Sequence, residues 1–327
     1  MLRKVSTTIL LVSLATASLA MPSKDAWVEP ARYRFDYVAD FSKLAESKPG
    51  HLRVWLPYPP ETKDQKIISA KVESPWPHSI TTDQLGNKIV YVEGEGVPPS
   101  PLTMSFTIER APSQGISLTE VSGSKTLDPQ RYLHADKLIP LQGVIDDLAK
   151  EQSRGLETDA QKVRAFYDYV VRTMHYNKDG TGWGRGDAIW ACTNKRGNCT
   201  DFHSLFIGMA RSEHIPARFI IGVPIPADSN AGVVPGYHCW AQYYDQARGW
   251  VPLDASEATK SGQPDAYFGT LPNDRIEFSS GRDLKLEPPQ KGEPLNYFIY
   301  PYVEADGAAR SDVTTTFRFE KVASPGA

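Results

Sequence analysis

Apolar and polar residues alternate along the first third of the chain. Tyr33, Phe35 and Tyr37 are separated by Arg34 and Asp36, so every second side chain is apolar. A period of two residues places the apolar side chains on one face of a β-strand. Similar segments, interrupted by proline and glycine, occur at residues 52–56, 66–72, 88–93 and 102–110. The pattern predicts a β-sandwich domain over residues 27–112.

The apolar spacing changes to a helical period after residue 130. Residues 113–130 are rich in serine, glycine and threonine, and we interpret them as a linker. Helical stripes follow between residues 138 and 151 and between residues 163 and 174. Thr158, with Gln161 three residues later, predicts a capping box at the start of the second helix.

A third helical stripe begins at Cys199. Its apolar residues have i, i+3, i+4 and i+7 spacing and are Phe202, Leu205, Phe206 and Met209. This spacing predicts a helix of about three turns that ends before Pro216. Strand-like segments follow at residues 218–223, 237–244, 250–254, 295–303 and 313–322. The mixture predicts an α+β domain over residues 131–327, in which the helix packs on an antiparallel sheet. We expect the last strands to extend that sheet or to cover the edge of its cleft.

The first twenty residues have the composition of a bacterial export signal. Arg3 and Lys4 precede an apolar run from Thr7 to Leu14, and small residues end the segment at Ala20. The apolar run is much shorter than the roughly 20 residues that span a bilayer. We therefore expect a signal peptide at residues 1–20, no stable membrane insertion after its removal, and a periplasmic or secreted protein.

The charge of the mature chain argues against one class of partner. Without the first twenty residues the chain has 34 basic and 39 acidic residues, a net charge near −5. A nucleic-acid partner usually requires a basic surface, so we expect none.

Cysteine usage is unusual for an exported protein. The chain has only Cys192, Cys199 and Cys239. Exported proteins that depend on disulfides usually contain an even and larger number of cysteines. At least one thiol stays unpaired within the chain, and a free thiol in an oxidising compartment indicates a chemical role.

Cys199 is placed for nucleophilic chemistry. At a helix N-terminus the unpaired N–H groups and the helix dipole favour the thiolate and can stabilise an oxyanion. His238 lies in a predicted strand and can accept the thiol proton. Trp240, on the same face of that strand, can pack beside the imidazole. Asp254 ends the next strand and can accept the far N–H of His238, which sets its tautomer.

Three segments resemble the transglutaminase-like superfamily. They are Gly197-Asn198-Cys199-Thr200-Asp201 through Ile215-Pro216-Ala217-Arg218, then Tyr237-His238-Cys239-Trp240-Ala241, then Gly249-Trp250-Val251-Pro252-Leu253-Asp254. The resemblance covers about residues 132–257 and implies a papain-like core. It also implies a catalytic triad of Cys199, His238 and Asp254. The family includes transglutaminases, peptidases, amidases and peptide N-glycanases, so the resemblance leaves the reaction type open.

The chain departs from the family pattern at one position. The family often has glycine just before the Ile-Pro-Ala-Arg stretch, and this chain has His214. A glycine there closes the helix with a positive φ. We expect His214 to adopt the same conformation at some cost in energy, with activity kept.

The resemblance implies an enzyme that forms a thioester with a protein or peptide substrate, for which the cell envelope is one source. We favour hydrolysis over crosslinking because an exported protein is surrounded by water. The sequence leaves the second oxyanion donor open; the candidates are Asn198, Trp183, Trp190 and Asn194, with Trp240 as a further residue of the cleft.

Other interpretations remain open at this point. A protein of the same fold could bind proteins or glycans without turnover. Cys199 and His203, spaced i and i+4, could bind zinc with Cys192, His238 or Cys239, but the CxxC and HExxH patterns are absent from the sequence. We therefore expect no metal and no cofactor. Cys192 could form a reversible disulfide with Cys199, and we expect Cys239 to be a core residue that faces away from His238.

Overall fold

The computed structural model describes residues 22–114 and 128–323. The predicted signal peptide at residues 1–20 and most of the predicted linker lie outside the described residues. Within the two described ranges, no helix is both long enough and apolar enough to cross a membrane.

The described residues form five α-helices and eighteen strands, many of them short. The helices are α1 (Val144–Gln152), α2 (Asp159–Thr173), α3 (Ala188–Asn194), α4 (Cys199–Ser212) and α5 (Ala255–Ser261). The strands are β1 (Ala31–Asp40), β2 (His51–Tyr58), β3 (Gln65–Glu73), β4 (His78–Thr82), β5 (Lys88–Glu95), β6 (Leu102–Arg110), β7 (Ser113–Gln114), β8 (His175–Tyr176), β9 (Arg196–Gly197), β10 (Ala217–Pro224), β11 (Ala231–Val234), β12 (His238–Asp245), β13 (Gly249–Leu253), β14 (Thr270–Leu271), β15 (Arg275–Ser280), β16 (Tyr302–Ala305), β17 (Ala308–Arg310) and β18 (Thr314–Val322). Short 3-10 helices lie at Lys24–Trp27, Ser42–Ser47 and Pro129–Tyr132.

Two five-stranded antiparallel sheets form a sandwich. Their strand orders are β11-β18-β1-β6-β3 and β17-β16-β2-β5-β4. Every second residue of β6 is buried, as the period-two pattern predicts. Tyr58 of one sheet meets Phe106 of the other with ring centroids 5.1 Å apart. The buried faces of the two sheets therefore pack together.

The expected position of the last strands is wrong. β18 pairs with β1 along nine residues, and β16 pairs with β2, so both join the sandwich instead of the sheet below α4. The physical reason is the apolar face of β18. Phe317 packs against Tyr37 at a centroid distance of 5.1 Å and against Phe35 at 6.0 Å. The sandwich is thus built from both ends of the chain, and the prediction that confined it to residues 27–112 missed its C-terminal strands.

The five helices and the sheet β13-β12-β10-β15 form a second unit, the core domain. The short strands pair separately, β8 with β9 and β14 with β7. α4 lies at its centre and contacts the other four helices and strands β10 and β12. All its residues from Cys199 to Arg211 are buried. This burial explains why α4 is apolar on more than one face, since helices surround it.

Two local predictions in the core domain are confirmed. Thr158 and Gln161 form the capping box that starts α2. His214 follows the end of α4 with φ = 60°, the conformation expected where the family often has glycine.

The sandwich and the core domain share one interior. A continuous cluster of buried apolar side chains includes residues of both units. Gln65 of β3 also donates to the Glu277 carbonyl at 3.0 Å and accepts from its N–H at 2.9 Å, which ties β3 to β15. The two units are therefore packed as one body.

Candidate active site

The turn before α4 fixes Cys199 at the first position of the helix. Asn198 Oδ1 accepts from the Thr200 N–H at 3.0 Å, and the Asn198 N–H donates to Asp201 Oδ2 at 3.0 Å. The bond to Asp201 Oδ2, together with a bond from the Asp201 N–H to the Asn198 side chain, forms a capping box. Gly197 has φ = 147°, and a Cβ there would lie 2.3 Å from Asp201 Oδ2. Only glycine fits this close approach, which accounts for the Gly-Asn-Cys segment.

Asp201 also ties the preceding loop to the helix. Its carboxylate accepts from the N–H groups of Gly184 and Gly186 at 2.7 and 3.0 Å. A carboxylate in the first turn of a helix is further stabilised by the helix dipole. The role of Asp201 is therefore to cap the helix and hold the loop in place.

His238 and Asp254 meet at the edge of the core-domain sheet. His238 begins β12, and Asp254 follows β13, which pairs with β12. His238 Nε2 lies 2.6 Å from Asp254 Oδ2, and both side chains are buried. Because Nε2 is engaged with Asp254, Nδ1 is the ring nitrogen that can serve Cys199.

Asp254 is held by more partners than the sequence indicated. It caps α5, with Oδ1 accepting from the Glu257 N–H and the Ser256 hydroxyl, each at 2.9 Å. Arg275 Nη1 donates to Oδ2 at 2.9 Å and is itself buried. The carboxylate that orients His238 therefore has a fixed position and a buried counter-ion.

The electrostatics of the site favour an ion pair between sulfur and imidazole. Burial lowers the pKa of His238, but the charge and hydrogen bond of Asp254 and the Cys199 sulfur outweigh it and raise that pKa to about 10. Burial raises the pKa of Cys199, but hydrogen bonds from Cys239 and His238 and the charge of His238 hold it well below its usual value. Burial likewise opposes ionisation of Asp254, whose pKa His238, His203 and Arg275 keep well below its usual range. These shifts favour a thiolate, an imidazolium and a carboxylate over the neutral groups.

Three of the five candidates for the oxyanion donor and the cleft lie in different surroundings. The Asn198 side chain is used in the cap, and its Nδ2 donates to the Tyr237 hydroxyl at 3.0 Å. The Trp183 indole N–H donates to the Gly180 carbonyl at 3.0 Å. Trp190 packs over Gly182, whose added Cβ would lie 2.5 Å from its Nε1. The Trp183 indole N–H is therefore used within its own loop. The N–H groups at the start of α4 are the better-placed oxyanion donors.

Trp240 and Asn194 have structural surroundings that explain them. The Trp240 ring lies beside His238, with centroids 6.5 Å apart, and is almost fully buried. It shields one side of the imidazole from water, as the strand alternation predicts. Asn194 donates to the Trp190 carbonyl at 2.9 Å within α3.

Sequence reasoning missed one residue of the site. Arg275 carries no motif and lies 21 residues beyond Asp254, within a strand whose six residues are all buried. A lone arginine in such a segment is the signal that could have found it, because a fully buried arginine needs a carboxylate partner. His203 and Cys239 were named from the sequence only as zinc ligands and, for Cys239, as a core residue. Cys239 is fully buried in the core as expected, and the two residues also lie close to Asp254 and Cys199.

The three thiols, all in the described part of the chain, are free. Cys192 lies near Lys195 Nζ, at 3.9 Å, and is nearly buried. Within the described ranges, His238, Asp254 and Glu257 form a group whose ligand atoms lie within 4.8 Å of one another. Arg275 already pairs with Asp254 there, and its positive charge opposes a metal cation. The zinc ligands considered from the sequence form no such group.

Comparison with known proteins identifies the core domain. Residues 146–255 match the transglutaminase-like superfamily, and the resemblance inferred from the three sequence segments is thereby confirmed. An uncharacterized protein of Haemophilus influenzae is 25% identical over 339 residues, which cover 90% of this chain and 91% of that protein. Residues 146–255 of the chain are therefore similar to the transglutaminase-like superfamily.

One solved structure supports the same fold. A Cytophaga hutchinsonii protein described as a candidate cysteine protease superposes with a TM-score of 0.59, at 15% identity, over 91% of this chain and 92% of that one. The predicted α+β fold class with a papain-like core is confirmed. The periplasmic domain of TgpA from Pseudomonas aeruginosa is 14% identical over 72% of this chain and 90% of that domain, with a TM-score of 0.36, too low to inform the fold.

Proposed function

We propose that this protein is an exported cysteine enzyme that cleaves amide bonds of proteins or peptides through Cys199, His238 and Asp254. The observation that carries the proposal is the 2.6 Å contact between His238 Nε2 and Asp254 Oδ2, beside a thiol at the N-terminus of α4. Cys199 can act as the nucleophile, His238 as the base, and Asp254 as the carboxylate that orients the base, which are the three roles that acyl transfer requires.

The geometry supports a two-step reaction. The Cys199 thiolate attacks the amide carbonyl, and the N–H groups at the start of α4 stabilise the oxyanion. His238 then gives its proton to the departing amine, which leaves a thioester on Cys199. In the second step His238 takes a proton from water, the resulting hydroxide attacks the thioester, and the acid leaves as the thiolate returns. Asp254 keeps the imidazolium stable in both steps.

We favour water over an amine as the acceptor, because a periplasmic or secreted enzyme works in a large excess of water. A labelled primary amine and a glutamine-containing protein test this choice. Hydrolysis predicts little incorporation of label. Incorporation that disappears in Cys199→Ala would make the enzyme a crosslinking transglutaminase instead.

Export is the second part of the proposal and is supported by the composition of residues 1–20. N-terminal sequencing of the protein from a periplasmic extract should begin at Met21. A chain in the cytoplasm that begins at Met1 would contradict export.

The acyl-enzyme is the direct test of the enzyme proposal. Purified protein is mixed with a cell-envelope extract and quenched in acid, and the tryptic peptide of residues 197–211 is weighed. An acyl adduct on Cys199 is expected in the wild type and in the control Cys192→Ala, and not in His238→Ala. If no adduct forms and Cys199 also resists thiol reagents at neutral pH, the fold would serve binding without turnover.

A further inference from the structure

A second thiol lies against the nucleophile. Cys239 is fully buried on β12, which packs against α4, and burial and the nearby Cys199 raise its pKa. Its Sγ is also 3.6 Å from Nδ1 of His203, a fully buried residue one helical turn after Cys199. The proposed triad chemistry assigns no task to either residue. A buried thiol and a buried imidazole close to a nucleophile therefore require an explanation.

The backbone fixes the direction of these hydrogen bonds. The Ala255 N–H donates to His203 Nε2 at 3.1 Å, so that nitrogen carries no proton. Burial lowers the pKa of His203 and keeps the ring neutral at pH 7. The single ring proton is then on Nδ1, which faces Cys239 Sγ and the backbone of Cys199. Cys239 receives this proton as acceptor, and its own S–H is free to point at Cys199.

We propose that Cys239 and His203 are positioning residues for the nucleophile: Cys239 donates its S–H to the Cys199 thiolate, and His203 donates to the Cys239 sulfur. The proposal deepens the proposed function and depends on it. The chain of donors runs in one direction, from the Ala255 N–H through His203 and Cys239 to Cys199.

This arrangement stabilises the thiolate without His238. The donor from Cys239 remains when His238 has lost its proton, as it has after the leaving amine departs. It therefore also favours the thiolate as the leaving group when water attacks the thioester. In agreement, burial and the neighbouring Cys199 raise the pKa of Cys239 well above its usual value, so Cys239 keeps its proton.

Most of the other titratable groups near Cys199 are tyrosines. Besides His238, His203 and Cys239, the titratable side chains that interact electrostatically with Cys199 are Tyr176, Asp201, Tyr237, Tyr297 and Tyr300. Burial raises the pKa of each of these tyrosines, so they are neutral at pH 7. Asp201 is occupied by backbone N–H groups, as described above. Of all these groups, His238 and Cys239 are the ones whose hydrogen bonds lower the pKa of Cys199.

The test is the pH dependence of Cys199 alkylation by iodoacetamide, read by mass spectrometry. Trypsin places the three cysteines in separate peptides, residues 186–195, 197–211 and 219–248, so Cys199 is followed alone. Removing a donor to a charged group should raise the midpoint pH by about one unit or more in Cys239→Ala. Cys239→Ser keeps an O–H donor and should stay closer to the wild type. Cys192→Ala, the matched control, should leave the midpoint unchanged.

His203 provides a second pair of variants should Cys239→Ala fail to fold. His203→Asn can place an amide N–H near the position of Nδ1, whereas His203→Gln places its amide nearer to Nε2. We expect the midpoint to rise more in His203→Gln than in His203→Asn. A purely structural role would lower stability in both and shift neither midpoint.

The outcomes separate this inference from the proposed function. If the wild-type midpoint is low, rises in His238→Ala and is unchanged in the folded Cys239 and His203 variants, the positioning role is overturned and the enzyme proposal stands. If the wild-type midpoint lies at the ordinary value for a thiol, the thiolate is not stabilised at all and both proposals fail.

Discussion

The interior of the sandwich and the interior of the core domain are built from different side chains. Along β1, the inward residues Tyr33, Phe35 and Tyr37 are aromatic, and charged residues face outward, where Arg34 pairs with Glu320 in solvent. In the core domain, ionisable groups are fully buried around α4, among them Asp254, His203 and Arg275.

This difference indicates that the two units contribute differently to stability and to reactivity. Burying a charge is costly unless it is paired and hydrogen-bonded, and each buried group named above has a partner in the core domain. Such a network gains little stability over an apolar core, but it fixes charges where a reaction needs them. The sandwich contributes mainly apolar burial, and its buried charges, such as Arg110 and Glu304, lie outside the reactive site. Stability and reactivity should therefore respond to changes in different units.

The largest effect should come from Asp254→Asn. The amide can present an N–H to His238 Nε2, which turns the imidazole to the wrong tautomer and removes the charge that stabilises the imidazolium. We expect kcat/KM on the acyl donor identified from the trapped adduct to fall about a thousandfold to ten-thousandfold. Asp265→Asn is the matched control, because that carboxylate is 83% exposed and pairs with Arg164 far along the surface of α2. Equal losses in both variants would contradict the assignment of Asp254.

A core substitution in the sandwich should have the opposite signature. Phe106 is 3% exposed and packs edge-on against Tyr58. Phe106→Ala removes a buried aromatic ring and should lower the free energy of unfolding by about 3–5 kcal/mol in urea titrations. The pH midpoint of Cys199 alkylation should stay unchanged in the folded variant. Ile80→Ala, at a side chain that is 53% exposed, should change stability by less than about 0.5 kcal/mol. A shifted alkylation midpoint in Phe106→Ala would show that the units are not separable.

The same contrast explains what the sequence could predict. Local signals sufficed where neighbours in the chain decide the structure, as in the capping box at Thr158, the strand that presents His238 and Trp240, and the turn at His214. The pairing of β18 with β1 was missed because it joins residues almost three hundred positions apart, and strand alternation contains no information on the partner. Arg275 was missed for a similar reason, since only the folded sheet brings it to Asp254.

A moderate effect is expected in the pH dependence of stability. The raised pKa of His238, about 10 against a usual 6.5, gives stability that is complete below pH 6.5 and is lost as pH rises toward 10. The lowered pKa of Cys199 gives stability that is complete above its usual value of 9.0 and is lost as pH falls. Between pH 6.5 and 9 the two slopes oppose each other, because the folded and unfolded states bind equal numbers of protons at this pair.

Cys199→Ala should expose the histidine contribution alone. Asp254 still raises the pKa of His238 in this variant, so stability should fall with pH between 6.5 and 9 by at most about 1.4 kcal/mol per unit. Urea titrations at several pH values measure the slope relative to the wild type. The double variant Cys199→Ala with His238→Gln should lose the slope again. A slope in the double variant as steep as in Cys199→Ala would assign it to other groups.

The smallest expected effect is a gain, and it tests whether the core domain tolerates strain outside its charged network. His214 has φ = 60° directly after α4. A residue with a Cβ is strained in this conformation, and glycine is not. His214→Gly should therefore raise the free energy of unfolding by about 0.5–1 kcal/mol, because relief of this strain outweighs the added freedom of the unfolded chain. His214→Ala keeps the strain and should give no gain. Since His214 lies at the far end of α4 from Cys199, the alkylation midpoint should be the same in both variants. A destabilised glycine variant would mean that the His214 side chain itself stabilises the helix end.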